Sequence, residues 1–224
     1  MNSLIAACGL FLGVHWLISG SPLRGAVVGL LGENLFRALF SLTVLVSIIW
    51  MGIAYAHAPY LPTWGSAGAL RPLSLLLMAF AVWLFALGIV TPNPTTMGRG
   101  DPDTTGVTGV LRITRHPGLI ALGLWGLSHF IVRGDWASHL LFGSFAFQGL
   151  IGPLNMERKY RSRYGEAWEV FTRQTSYVPF AAILSGRNRL AVRELSWMAS
   201  LAALLVFVVL LVLHHPVLGV SPLP

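Results

Sequence analysis

The chain is 224 residues long, 55% apolar and only 10% charged, with a net charge of +7. Soluble domains carry roughly a quarter charged residues, so this composition excludes an ordinary water-soluble globule and points to a lipid solvent. At about 20 residues per spanning helix there is room for about six spans with short loops, hence one domain over 1–224 and no separate soluble one.

The first apolar run, near 4–18, follows Met1-Asn2-Ser3 with no positive n-region and no small-x-small cleavage site, so it is expected to be a retained span, and no transit segment is visible. It holds the single Cys8, which excludes an intramolecular disulfide and any cysteine-based zinc or iron–sulfur site, and reads as a packing residue. It also holds His15, in the run FLGVHWL. Further apolar segments fall near 36–56, 71–91, 117–133, 138–154 and 195–213. The expected fold is therefore all-α: a polytopic integral membrane protein of about six transmembrane helices, with no internal repeat.

Arg24 and Arg37, then Arg99, Arg112 and Arg115, then eight Lys and Arg between Arg158 and Arg193 all follow odd-numbered spans. The other connections hold only Arg71 and Arg133. By the positive-inside rule the basic connections are expected in the cytoplasm and both termini outside. Topology then accounts for the positive charge, with attraction to anionic headgroups of the bilayer as a by-product and no need of a nucleic-acid partner.

Before the fourth span stands Arg115-His116-Pro117, with His116 at an expected N-cap and Pro117 at N1, where its missing N–H costs nothing. Glu33 and Arg37 lie four apart at the start of the second span and can pair. The stretch Met156 to Arg173 reads as an amphipathic helix on the cytoplasmic surface. Tyr160, Tyr164, Ala167, Trp168 and Phe171 share one arc, and Arg158, Lys159, Glu166, Glu169 and Arg173 occupy the rest. Glu157 falls in the apolar arc, so its carboxylate needs a cationic or hydrogen-bonding partner. Together Glu33, Arg37, Arg112, Arg115, His116 and Glu157 suggest one polar pocket at the cytoplasmic level.

His129 lies about 20 Å along its helix from His116 and about 220° around it, so the two cannot serve one metal from a straight helix. An intramembrane histidine is a functional candidate or a helix-to-helix hydrogen bonder. His57, His139, His214 and His215 fall at outer ends of spans and read as headgroup-level residues. Two imidazoles on different helices could clamp a haem iron, although span middles put His15 and His129 about 12 Å apart in depth, and His15 and His116 less. No C-x-x-C-H is present, which excludes covalent haem attachment through that motif.

The blocks FLGVHWL, GENLFRALFSL, RITRHPGLIALGLWGLSHFIVRGD, YGEAWEVFTRQTSYVPFAAILSGRNRL and HHPVLGVSPLP, in this order, resemble the NnrU family of bacterial membrane proteins from end to end. That family takes its name from genes associated with nitrite and nitric oxide reduction and includes the 15-cis-zeta-carotene isomerases. The resemblance implies a multi-pass protein of the bacterial inner membrane, a non-covalent haem b with two axial histidines, and cis-to-trans isomerisation of a lipid-soluble polyene. Carried over to this sequence, it points to His15 and His129 as the ligands, with His116 in reserve. It also leaves open an accessory protein of nitrogen-oxide respiration without chemistry of its own. A weaker, local similarity joins Arg115-His116-Pro117 and the segment from Glu157 to Trp168 to the isoprenylcysteine carboxyl methyltransferases. That implies S-adenosylmethionine at the cytoplasmic surface, held by Arg115, His116 and Glu157, although Met156 stands where those enzymes carry a first glutamate.

Overall fold

The computed structural model describes residues 1–64, 68–95 and 100–223, and among them it is helical throughout, with one isolated bridge between Pro62 and Asp135. The helices are α1 (Asn2–Gly13), continuing as a wider π-type turn over Val14–Ser19, α2 (Leu23–Leu31), α3 (Glu33–Ala56), α4 (Arg71–Val90), α5 (Pro117–Val132), α6 (Trp136–Ile151), α7 (Pro153–Tyr164), α8 (Glu166–Gln174), α9 (Ala181–Leu184) and α10 (Trp197–Leu218). Their starts follow local chemistry. Pro117 and Pro153 open α5 and α7, where no N–H is needed. The Asp135 carboxylate accepts from Ser138 N at 2.9 Å to cap α6, and the Ser196 hydroxyl accepts from Ala199 N at 3.2 Å to cap α10.

Among the described residues, four helical stretches are long and apolar enough to cross a membrane: Asn2–Ser19, Glu33–Ala56, Gly68–Val90 and Trp197–Leu218. The 16-residue α5 and α6 reach about 24 Å, short of a hydrocarbon core of about 30 Å. The long helices leave large side chains such as Leu42, Leu76, Val206 and Val212 exposed, an outer surface suited to lipid tails.

These six elements pack in a row, α3–α1–α6–α5–α4–α10. Polar contacts between helices fix their directions. Trp16 Nε1 donates to Gln148 at 3.0 Å and Cys8 Sγ approaches Leu140 O at 3.5 Å, so α1 and α6 run parallel. Trp50 Nε1 donates to Ser3 at 2.9 Å, Ser74 to Ser128 O at 2.8 Å and Trp83 to Ser200 at 3.0 Å, which sets the other neighbours antiparallel. One end of the row gathers Arg24, Arg37, Arg112, Arg115 and the arginines of α7 and α8; we call it the basic end. Arg99 lies outside the described residues.

At the centre of the row, α5 and α6 approach backbone to backbone. A Cβ placed on Gly149 would lie 2.2 Å from Gly123 N, and one on Gly126 would lie 2.5 Å from Ala146 N. Only glycine permits this approach.

Three expectations need correction. The amphipathic stretch 156–173 is two helices, α7 and α8, because Gly165 turns the chain with φ at 53°. Its apolar arc does not face lipid: Tyr160, Tyr164, Trp168 and Phe171 pack against Leu111 and Val107 of the protein. The last helix runs to Leu218, beyond the expected 213 and through Pro216, and α2 was not anticipated at all.

Gly149→Ala forces the α5–α6 seam apart and is expected to cost about 1–3 kcal/mol. Gly9→Ala, where a Cβ would meet nothing within 4 Å, is expected to leave stability unchanged or slightly raised. Thermal unfolding of the two variants in detergent checks the contrast.

Candidate functional site

The Arg115-His116-Pro117 turn is held from several sides. Arg115 N donates to Ser176 O at 2.9 Å, the Thr95 hydroxyl donates to Arg115 O at 2.7 Å, and the Thr114 hydroxyl accepts from His116 N at 3.3 Å. Fixed in this way, the turn aims two side chains at Glu157 of α7. Arg115 Nε donates to Glu157 Oε1 at 2.5 Å, and His116 Nε2 donates to the same oxygen at 2.7 Å. Trp168 Nε1, on the fully buried indole of α8, donates to Oε2 at 3.2 Å. The side chains of Arg115 and Glu157 are each only 13% exposed.

Burial alone would push the Glu157 carboxyl up; the hydrogen bonds from His116 and Arg115 and the guanidinium charge outweigh it and hold the group at about 2, below its ordinary 4.5. Burial pushes the His116 imidazole below its usual value, against the pull of Glu157. The clasp is therefore one cation, one anion and a neutral imidazole. With Nε2 carrying the proton, His116 Nδ1 is an acceptor with no partner among the described residues. Both Glu157 oxygens accept hydrogen bonds, so the arrangement ties α7 and α8 to the foot of α5.

The other polar residues do not join it. Glu33 pairs with Arg37 at 2.8 Å, as the spacing suggested, and also with Arg24 at 2.7 Å. Arg112 turns away to Glu194 at 2.7 Å and to Asn188 at 2.7 Å. The single polar pocket is thus three separate clusters. Arg24 and Glu194 were missed as partners because one lies across the turn at Gly32 between α2 and α3 and the other 82 positions from its partner, and no periodicity links either pair.

The histidines within the row fall into two kinds. His139 is structural: Nε2 donates to Arg133 O at 2.8 Å, and the ring lies between Trp64 and Phe130 at 4.0 and 4.7 Å. His15, on the π-type turn, donates Nδ1–H to Phe11 O at 2.7 Å, and His129 donates Nδ1–H to Trp125 O at 2.9 Å. Each then carries a bare Nε2 lone pair, the tautomer a metal requires. A π-type turn is a frequent mark of a functional position.

These two imidazoles do not meet. His15 faces Phe40 of α3, with ring centroids 5.2 Å apart, whereas His129 lies on Phe142 at 4.7 Å and beside His214 at 6.4 Å. Between them stand Phe11, Phe145 and Trp125, each about one ring contact from the next. Since Trp16 meets Gln148 and His129 meets Phe142, they also differ in level by about five residues of α6, roughly 7 Å. In this arrangement the pair does not fit two axial positions on one iron. His116, with its imidazole closed into the clasp, does not reach either. No group of three or more His, Cys, Asp or Glu among the described residues could hold a metal ion.

Beside this aromatic series lies a groove of about 400 Å³ between α4, α5, α6 and α10, lined by apolar side chains that include Ala81, Phe85, Ala121, Trp125, Phe145 and Leu210. Its lining residues lie along the middle of these helices rather than at either end of the row, and Phe85, Val206 and Leu210 among them are exposed.

Residues 3–222 match the family model described as NnrU protein. The chain is similar to the 15-cis-zeta-carotene isomerase, chloroplastic, of Zea mays, at 31% identity over 174 residues, 76% of this chain and 48% of that protein. It is also similar to the Arabidopsis thaliana protein of the same name, at 31% over 173 residues, 75% of this chain and 47% of that one. The chain thus spans about half the length of the curated relatives it matches. No solved structure matches it.

Glu157→Gln removes the only anion of the clasp and is expected to cost about 3–5 kcal/mol, with the added Arg115→Gln costing less than its own single effect. The pH dependence has a definite sign. A carboxyl held at about 2 against 4.5 when free contributes stability that is present above 4.5 and is lost as pH falls toward 2. The lowered His116 acts in the same direction, since the unfolded chain takes up its proton first. Unfolding curves between pH 7 and 3 should show acid destabilisation, and Glu157→Gln should flatten its lower part.

Proposed function

We propose that this chain, which belongs to the NnrU family, is a membrane-embedded isomerase that takes a linear polyene from the lipid into the groove between α4, α5, α6 and α10. The observation that carries the reading is the groove itself: carbon-lined, at mid-height of the helix row, and open sideways to where a hydrocarbon substrate would be dissolved. The two relatives named as 15-cis-zeta-carotene isomerases support the substrate class.

In this reading α1, α3, α4, α5, α6 and α10 all cross the bilayer, with the basic end in the cytoplasm. The short α5 and α6 are accommodated by their flanking polar residues and by local thinning, at fractions of a kcal/mol per ångström. The protein's contribution is positional. Phe85, Trp125 and Phe145 give flat faces against which a conjugated chain can lie, while Ala81 and Ala121 leave the width for it. Water is excluded, and the bend at a cis double bond selects which part of the chain sits at the tight point beside Trp125. Rotation about a double bond also needs its π overlap weakened, which apolar side chains alone do not supply.

The methyltransferase alternative draws no support from the clasp, since Glu157 is spent on Arg115, His116 and Trp168. Nothing in the geometry favours the accessory role over the isomerase.

Produced in bacteria that accumulate 15-cis-zeta-carotene, the chain is expected to convert it to the isomer with a trans central bond, read by chromatography of extracted pigments. Ala121→Trp fills the groove and should cut conversion at least ten-fold at equal protein level. Absence of conversion by the wild type would contradict the proposal.

A further inference from the structure

The turn between α1 and α2 lies at the basic end, and α7 packs against it. A Cβ built on Gly20 would come 2.7 Å from Asn155 Nδ2, so turn and helix are in direct contact. One helical turn further along the same face of α7 stands Lys159, whose Nζ donates to the Ser19 hydroxyl at 2.9 Å. Lys159 is half-buried there, whereas Arg158, Arg161 and Arg163 beside it are exposed.

The charges of this corner do not balance. Arg24 and Arg37 share the one carboxylate of Glu33, at 2.7 and 2.8 Å. Lys159 has no carboxylate within ion-pair reach among the described residues. Burial, and then the like charge of Arg24, push its ammonium below the ordinary range. A cation is thus taken partly out of water beside another cation, which costs free energy until an anion joins them. The Asn155 amide, on a residue only 8% exposed, also makes no hydrogen bond among the described residues.

The surroundings decide what kind of anion this is. α2 turns Leu23, Ala26 and Leu30 outward at i, i+3 and i+7, all of them exposed, the pattern of a helix lying in the headgroup plane. On the turn that leads into it, an open hollow of about 600 Å³ is lined by residues that include Leu17, Pro22, Leu23 and Ala26. The corner therefore belongs to the level where acyl chains meet headgroups. We propose that Lys159 and Arg24, with Ser19 and Asn155 beside them, hold the phosphate of one anionic phospholipid whose chains run beside α2. A phosphodiester brings the missing negative charge and acceptor oxygens for ammonium, guanidinium and amide together. Bound there, it fastens α7 to the end of α1, on the side away from the Glu157 clasp. The inference rests on the membrane embedding proposed above and not on the polyene.

Native mass spectrometry of the full-length chain in detergent, with thermal unfolding alongside, reads the site without any carotene, so its failure is separate from that of the isomerase reading. Titrated with short-chain phosphatidylglycerol, the wild type is expected to retain one lipid per chain and to unfold at a higher temperature, as linkage requires. Phosphatidylcholine of the same chain length and inorganic phosphate should do neither. Lys159→Met should weaken retention about ten-fold, the worth of one charge-assisted contact, and remove most of the thermal rise, while Lys159→Arg keeps the lipid bound. Arg158→Met deletes the same charge at the adjacent exposed position and should match the wild type. Equal losses in Lys159→Met and Arg158→Met would mean diffuse attraction to anionic lipid and overturn the site. Wild-type retention in Lys159→Met overturns it as well, and an equal thermal rise with inorganic phosphate overturns the choice of a lipid.

Discussion

The close approach of α5 and α6 is the constraint on which the rest of the molecule hangs. Lipid offers helices no hydrophobic reason to associate, so a row of apolar helices must be held by contact and by hydrogen bonds. Gly123, Gly126 and Gly149 let two backbones touch, and this seam fixes what each outer face of the pair presents. On one side α6 offers Gln148 and Phe145 to Trp16 and Phe11 of α1. On the other side α5 packs on α4, where Pro117 fits within 3.1 Å of a Cβ built on Gly88. The groove exists because α10 leans on α4 while α5 and α6 stay together behind it.

Electrostatics then closes the basic end. A carboxylate in an apolar arc is expensive, and it is tolerated because a guanidinium, an imidazole and an indole all converge on it. The Arg115-His116-Pro117 turn was the most conspicuous motif of the chain, and its geometry makes it a fastening that docks α7 and α8.

The sequence announced the long apolar helices because helices suited to lipid are apolar on nearly all sides, and continuous runs such as 36–56 admit no other element. It also announced that Glu157 needs a partner, since its angle on the helical wheel is set by local periodicity alone. The same periodicity hid the break at Gly165: α7 and α8 bury the same kind of face, so the arc runs on across a turn in which the chain changes direction. The whole of α2 was obscured for a different reason, its glycines and single arginine resembling a loop. Partners distant in sequence were beyond reach. Arg112 with Glu194, and His129 with His214, lie more than eighty positions apart, and what joins them is the packing of α10 beside α4, which no spacing rule encodes. Counting depth from span middles did flag that His15 and His129 sit at different levels, and the pairing of Trp16 with Gln148 gives that mismatch a physical form.

The central claim is that a polyene lies in the groove between α4, α5, α6 and α10, and the most direct measurement is where it can be caught. Benzoylphenylalanine placed at Val82, inside the groove, or at Val46, exposed on the far helix α3, is irradiated with 15-cis-zeta-carotene in proteoliposomes, and adducts are read by intact mass. The account predicts a carotene adduct at position 82 and none above background at 46. Equal labelling at both positions would mean that the polyene is only dissolved in the surrounding lipid, and would contradict it.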